Sequence, residues 1–341
     1  MNIQVNPTYL MQIFALTVIA FGAAVALTPA LTILLYRFKI WKKIKTTGMS
    51  GKVPIFYRLH KQKHRRNVPT MAGVLIWVVV LVVTVLFNLS RSQTYLPLFA
   101  LVAVGVLGLI DDAINVWGKT KLRGMRASFK LGWLVLIAGL GSWWFFSKLG
   151  FSMIHIPGRG DFEIGWLYIP LFILVIVATA NAVNITDGLD GLAGGLLTIS
   201  FGAFGVLAFA QGQIGLAAFC LTVVGALLAF TWFNIYPARF FMGDTGSLAL
   251  GATLGVIAML TNSVLVLPII GFVFVVETLS VIIQLISKKL RKGKKIFLST
   301  PIHHHFEAIG WPETKVTMRF WVIGTVTAAI GLILGLIGMG R

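Results

Sequence analysis

The chain has one cysteine and little charge: of 341 residues only 11% are Asp, Glu, Lys or Arg, and just ten are acids. The lone Cys220 lies in an apolar run, so it cannot close an internal disulfide, and core packing is its expected role. Soluble domains carry about 25% charged residues, so charge this sparse excludes an ordinary globular surface. There is no set of Cys and His at zinc-ligand spacing. There is also no basic region ahead of the first apolar run, Tyr9 to Tyr36, which is too long for the core of a cleavable leader. The gaps between apolar runs are too short for a soluble domain, and no internal repeat is visible.

What remains is grease. Hydrophobic residues make up 57% of the chain and the mean hydropathy is +0.91. A helix needs about 20 apolar residues to cross hydrocarbon. On that basis ten spans are expected, at 9–36, 70–89, 95–110, 129–148, 166–183, 190–210, 213–235, 245–261, 264–287 and 318–339. The expected fold is all-α, a polytopic integral membrane protein forming one domain over 1–341. The connection "HIPGRGDFEIGW" is expected to be a short hairpin.

The net charge of +19 raises nucleic acid as a partner, but its distribution argues against one. Connections 37–69, 111–130, 237–244 and 287–319 hold 25 of the 29 Lys and Arg residues; Arg91, Lys148, Arg159 and Arg341 are the remaining four. The positive-inside rule makes the rich side cytoplasmic and sends both termini outward. The basic connections also suit anionic lipid headgroups. Seven of the ten acids and five of the six histidines fall on that same side. Chemistry gathered at one face suits an enzyme better than a transporter, whose binding site lies near the midplane and whose spans would carry more than Glu277.

Three acidic motifs stand out. In "GVLGLIDDAINVW" the pair Asp111 and Asp112 closes the third expected span, where the helix dipole disfavours acids. In "NAVNITDGLDGLAGG" Asn184, Asp187 and Asp190 recur every three residues ahead of a helix N-terminus, a natural anion site. An N-cap at Asp190 is the simpler alternative. In "NIYPARFFMGDTGSLALG" Asp244 opens another helix. Hard oxygen ligands at several points favour Mg²⁺ or Mn²⁺ shared with substrate phosphates. A fourth motif, "STPIHHHFEAIGWPETKVTMRFW", places His303, His304 and His305 in an irregular segment, as donors to a diphosphate or sugar. Glu277, inside the ninth span, needs a partner or a cavity. Pro268 and Gly271 nearby suggest a break in that helix.

These motifs, with "VVETLSVIIQ", closely resemble the phospho-N-acetylmuramoyl-pentapeptide transferase family. The histidine triplet with its Phe-Glu and Gly-Trp-Pro-Glu is the most specific part. A related transferase using UDP-N-acetylglucosamine would generally lack that run. The resemblance implies transfer from UDP-N-acetylmuramoyl-pentapeptide to undecaprenyl phosphate, giving lipid I and UMP, with Mg²⁺, in one step or through an aspartyl intermediate. It implies a homodimer in the bacterial inner membrane, embedded in membrane lipid, with the active site on the cytoplasmic side and no nucleic acid.

By the same resemblance Asp111, Asp112, Asp244 and His303 are catalytic, with Asp111 acting on the lipid phosphate. Asp244 and Asn184 are the metal ligands. Substrate contacts fall to Asn184, Asp187, Asp190, Asn234, Phe241, Gln284, His303 and His304. Two family positions differ. The segment before the second span reads "RRNVPTMAG", with Asn67, Val68 and Ala72 in altered places, and a commonly lysine position is Asn115. Arg65, Arg66, Lys121 or Lys130 is then left to supply the charge for phosphate.

Overall fold

Long apolar stretches punctuated by glycine, proline and basic turns fold as helices packed side by side. The computed structural model describes residues 7–41, 47–48, 51–52, 67–118 and 124–338. In chain order α1 is Pro7–Arg37, α2 Gly73–Phe87, α3 Tyr95–Trp117, α4 Ala127–Lys148, α5 Tyr168–Thr186 and α6 Leu192–Ala210. They are followed by α7 Ile214–Asn234, α8 Asp244–Leu260, α9 Leu267–Ile270, α10 Phe272–Leu290, α11 Ile302–Ala308 and α12 Glu313–Gly338. Two antiparallel ladders accompany them: β1 (Thr47–Gly48) with β2 (Gly51–Lys52), and β3 (Met153–Ile156) with β4 (Gly160–Glu163). The second is the hairpin expected from the sequence.

Among the described residues, seven helices are long and apolar enough to cross a membrane; α2 and α8 are shorter apolar helices. The protein is therefore an all-α integral membrane protein. Each expected span coincides with a helix, and the ninth is broken at Gly271 between α9 and α10.

The core is built around α8. Every residue from Thr245 to Leu260 is buried, as an all-round apolar helix requires. It packs against α3 and α5, with α2 and α6 adding smaller contacts, while α1 lies along α7 and α12 along α6. Gly108 permits the approach of α3 to α8. A side chain there would overlap the Asp244 carbonyl and Thr245 Cα, so the absence of a Cβ lets α3 lie on the first turn of α8. Trp77 of α2 locks the crossing by donating to Thr245 Oγ1 (3.1 Å), which itself donates to the Gly105 carbonyl (2.9 Å).

One expected boundary is wrong in a useful way. The third expected span ends at residue 110, with the aspartate pair at its terminus; the helix continues to Trp117. Asp111 and Asp112 therefore sit within α3, six and five residues before its end, and the dipole argument does not apply to them. The continuation forms because both carboxylates find partners on α4 and α8, described next.

Candidate active site

Four helices deliver polar groups to one point. Lys130, in the first turn of α4, puts Nζ 2.5 Å from Asp111 Oδ2 and 2.6 Å from Asp244 Oδ2. Asp111 Oδ1 accepts from the Met125 backbone N–H at 2.5 Å. Asn184, in the last turn of α5, donates from Nδ2 to Asp244 Oδ1 (3.2 Å) and to Ser247 Oγ (2.8 Å). Asp112, about 100° around α3 from Asp111, accepts from the Thr245 backbone N–H at 3.1 Å. One aspartate of the pair thus meets the cation while the other holds the N-terminus of α8. Both are nearly buried, at 6% and 2% exposure. An ammonium shared by two carboxylates lowers the cost of keeping all three out of water.

Backbone conformation aims Asp244. Gly243 has φ +75°, in the region open to glycine at little cost. It is the N-cap residue of α8 and has no side chain to cap with, so the Asp112 carboxylate takes the Thr245 N–H instead. The Asp244 carboxylate is thereby free of its own helix terminus and meets Lys130 and Asn184. The same holds one motif earlier. Gly191, φ +77°, caps α6 without a side-chain bond, so the simple N-cap alternative for Asp190 is not what the chain adopts.

Asp190 ties loops together instead. Its Oδ2 accepts from the Ala238 N–H at 3.0 Å, and its own N–H donates to Glu313 Oε1 at 2.6 Å. Asn234 accepts from the Gly191 N–H (3.0 Å) and donates to the Phe240 carbonyl (2.8 Å). Trp321 donates to the Gly191 carbonyl at 3.2 Å. The glycine turn 187–191 is thus clamped between the 235–243 segment and α12. Phe241 pairs by backbone with Pro69 and Ala72, which brings the segment before α2 beside Asp244. Asp187 follows the last residue of α5, one helical turn beyond Asn184.

The histidine triplet is helical, as α11, and not irregular as expected. Its three rings go to three partners. His303 Nδ1 lies 2.9 Å from Glu277 Oε2, both side chains fully buried. The His303 ring also fills the space that a side chain at Gly188 would need, so α11 reaches the 187–191 turn. His304 pairs with Glu307 at 2.7 Å, and His305 accepts from the Leu298 N–H at 3.3 Å. Glu277 has therefore found a structural partner. Gln284 does similar work, donating to the Phe297 carbonyl (2.9 Å) and accepting from Ile296 (2.9 Å) and Phe297 (3.1 Å) N–H groups.

Of the four basic residues left open by the sequence, Lys130 stands between the carboxylates. Arg65, Arg66 and Lys121, like His60 and His64, lie outside the described residues. Ser247 and Glu313 were missed. Ser247 could have been found from its place three residues after Asp244, on the same helical face; Glu313 carried no signal beyond its motif.

The donor set can be tested against a cation. Among the described residues no three His, Cys, Asp or Glu side chains form a closed metal cage. Two carboxylates converge, and Asn184 has committed its amide nitrogen, leaving its carbonyl oxygen as a ligand atom. Such an incomplete set fits Mg²⁺, which takes one or two carboxylates and completes its shell with waters and substrate phosphates.

A helical membrane bundle with this cluster at one end belongs with the membrane-embedded phospho-sugar transferases. Residues 94–262, which include Asp111, Lys130, Asn184 and Asp244, match glycosyl transferase family 4. The chain is 44% identical to the phospho-N-acetylmuramoyl-pentapeptide-transferase of Chloroflexus aurantiacus, over 88% of this chain and 83% of that protein. It is 42% identical to that of Geobacillus thermodenitrificans, over 92% and 95%, and 47% identical to that of Chloroflexus aggregans, over 79% and 77%. The chain belongs to the phospho-N-acetylmuramoyl-pentapeptide-transferase family.

Proposed function

We infer that the enzyme transfers phospho-N-acetylmuramoyl-pentapeptide from its UDP-linked donor to undecaprenyl phosphate, giving lipid I and UMP. The observation that carries this reading is Lys130 held between Asp111 and Asp244, beside Asn184 and the N-terminus of α8. An acceptor phosphate oxygen attacks the phosphorus bonded to the muramoyl sugar. The bond from that phosphorus to the bridging oxygen breaks, and UMP leaves with the oxygen. Such transfers depend on positioning and charge stabilisation more than on covalent catalysis.

Lys130 supplies positive charge where the phosphates meet, and Asp111 orients it. Both Asp111 oxygens already accept bonds from protein groups, which favours direct transfer over an aspartyl intermediate. Asp244 and the Asn184 carbonyl would hold Mg²⁺, which supplies charge neutralisation to the diphosphate when bound. Asp187 and Phe241 frame the nucleotide side, with Asp190 and Asn234 fixing the loops they stand on. His303 faces the 187–191 turn, and His304 stands beside it for the muramoyl diphosphate. Gln284 contributes by fixing the 294–298 segment.

An apolar cavity of about 350 Å³ supports the lipid acceptor. It lies between α5, α8, α9 and α10, with Val183, Leu254, Pro268 and Thr278 among its walls. Val183 immediately precedes Asn184, so a prenyl chain lying there would bring its phosphate to the carboxylates. The same reading puts the site on the cytoplasmic face of the bacterial inner membrane and takes the enzyme as a homodimer.

The test is UMP release by purified protein with Mg²⁺ and undecaprenyl phosphate. The muramoyl-pentapeptide donor should far outpace UDP-N-acetylglucosamine. Asp244→Asn should remove turnover while the protein keeps its thermal unfolding transition. Near-normal turnover in that variant would take Asp244 out of the site.

A further inference from the structure

A second cavity has no part in the chemistry described above. It is an apolar crevice of about 740 Å³ between the first turns of α3 and the last turns of α4, with Leu89, Tyr95, Phe99, Leu140, Trp143 and Trp144 among its walls. That volume is within the roughly 300–1,000 Å³ of ordinary ligand pockets. Along α3 its walls run from Tyr95, sixteen residues or about 24 Å before Asp111, to Ala103, eight residues or about 12 Å before it. Next to Trp144 on α4, the buried Phe145 packs on Phe151, Tyr168 and Phe172 at ring-centroid distances of 5.0, 6.1 and 4.8 Å.

Two cations stand at the same end. The Arg91 guanidinium lies 6.0 Å from the Trp144 ring centroid and Lys148 Nζ lies 5.9 Å from that of Trp143. Both tryptophans belong to the crevice wall. These are two of only four Lys or Arg residues outside the basic connections. Among the described residues neither has a carboxylate partner. The acids of the nearby hairpin are engaged elsewhere, Asp161 with His155 and Glu163 with Ser152 and the Gly165 N–H. Tryptophan beneath a cation holds it at headgroup level, and the aliphatic stems can cover apolar surface while the charges stay wet.

We propose that this crevice is a second lipid site, which takes an acyl chain of an anionic phospholipid and holds its phosphate between Arg91 and Lys148. The apolar walls recognise the chain and the unpaired cations select the headgroup. The site is separate from the acceptor groove, and it does not depend on the transferase chemistry.

The experiment uses the full chain in detergent, offered phosphatidylglycerol and phosphatidylcholine in equal amounts, with retained lipids counted by native mass spectrometry. Each cation near a headgroup is worth about fivefold in binding an anionic lipid, so one tightly held copy should prefer phosphatidylglycerol by roughly twenty-five-fold. The double variant Arg91→Gln, Lys148→Gln should lose that preference for this copy. Ala103→Phe, which fills the crevice, should lose the copy itself. UMP release in both variants within twofold of the parent verifies that they are folded. Unchanged preference in the double variant, or the same copy retained by Ala103→Phe, overturns the proposal. Displacement of that copy by undecaprenyl phosphate at equal concentration also overturns it, by assigning the crevice to the acceptor.

Discussion

Replacing Lys130 by glutamine removes an ammonium that two carboxylates share. Nζ is 2.5 Å from Asp111 and 2.6 Å from Asp244. The two Oδ2 atoms are therefore at most about 5 Å apart, where an effective dielectric of about 20 gives roughly 3 kcal/mol of repulsion. The three side chains are only 18%, 8% and 15% exposed, so water relieves this in part. The expected loss is about 3 kcal/mol, at the low end of the range for breaking a buried pair. Turnover should fall further, by about a thousandfold, as when a cation is removed from a transferring phosphoryl group. Initial rates of UMP release and thermal unfolding in detergent measure the two effects separately. Adding Asp111→Asn to Lys130→Gln removes the repulsion and should restore most of the stability without restoring turnover. Turnover of Lys130→Gln within tenfold of the parent would refute the reasoning. So would a double variant that recovers activity along with stability, because Lys130 would then matter only for folding.

Three further outcomes follow from the geometry. Glu277→Ala leaves the buried His303 ring without its partner and should cost about 1–3 kcal/mol in unfolding experiments; Glu277→Gln, which can keep one hydrogen bond, should cost clearly less. Gly108→Val drives a side chain into the first turn of α8, so turnover should fall at least tenfold while helix content by circular dichroism stays within error. Gln284→Ala frees the 294–298 backbone, and limited proteolysis should cut there faster, with KM rising more than kcat falls.

Asp111 and Asp244 illustrate how far reading the residues can go. Carboxylates in so apolar a chain are costly, so their retention pointed to a purpose, and glycines around Asp187 and Asp244 pointed to tight turns at helix starts. The Gly271 break and the 153–163 hairpin were legible for the same local reasons. Asp190, Asn234 and Gln284 were legible only as polar residues in the right region. Their hydrogen bonds run to segments as distant as Ala238, Gly191 and Phe297, and no local pattern specifies such partners. His303 is the sharpest case. Its motif was plain, yet that its ring would meet Glu277, 26 residues away, and the turn at Gly188 depended on how α10, α11 and α5 pack.

The sequence by itself determined that this chain crosses membranes as helices, because apolar length and charge placement act locally through the cost of exposing peptide groups and ions to lipid. It also determined which few residues were too polar for their surroundings. The tertiary structure alone decided that Lys130 stands between the two carboxylates. That placement depends on the close approach of α3 to α8 permitted by Gly108 and on where α4 enters the bundle. Charge pairing at 2.5 Å is a property of packed helices, and spacing along a chain does not encode it.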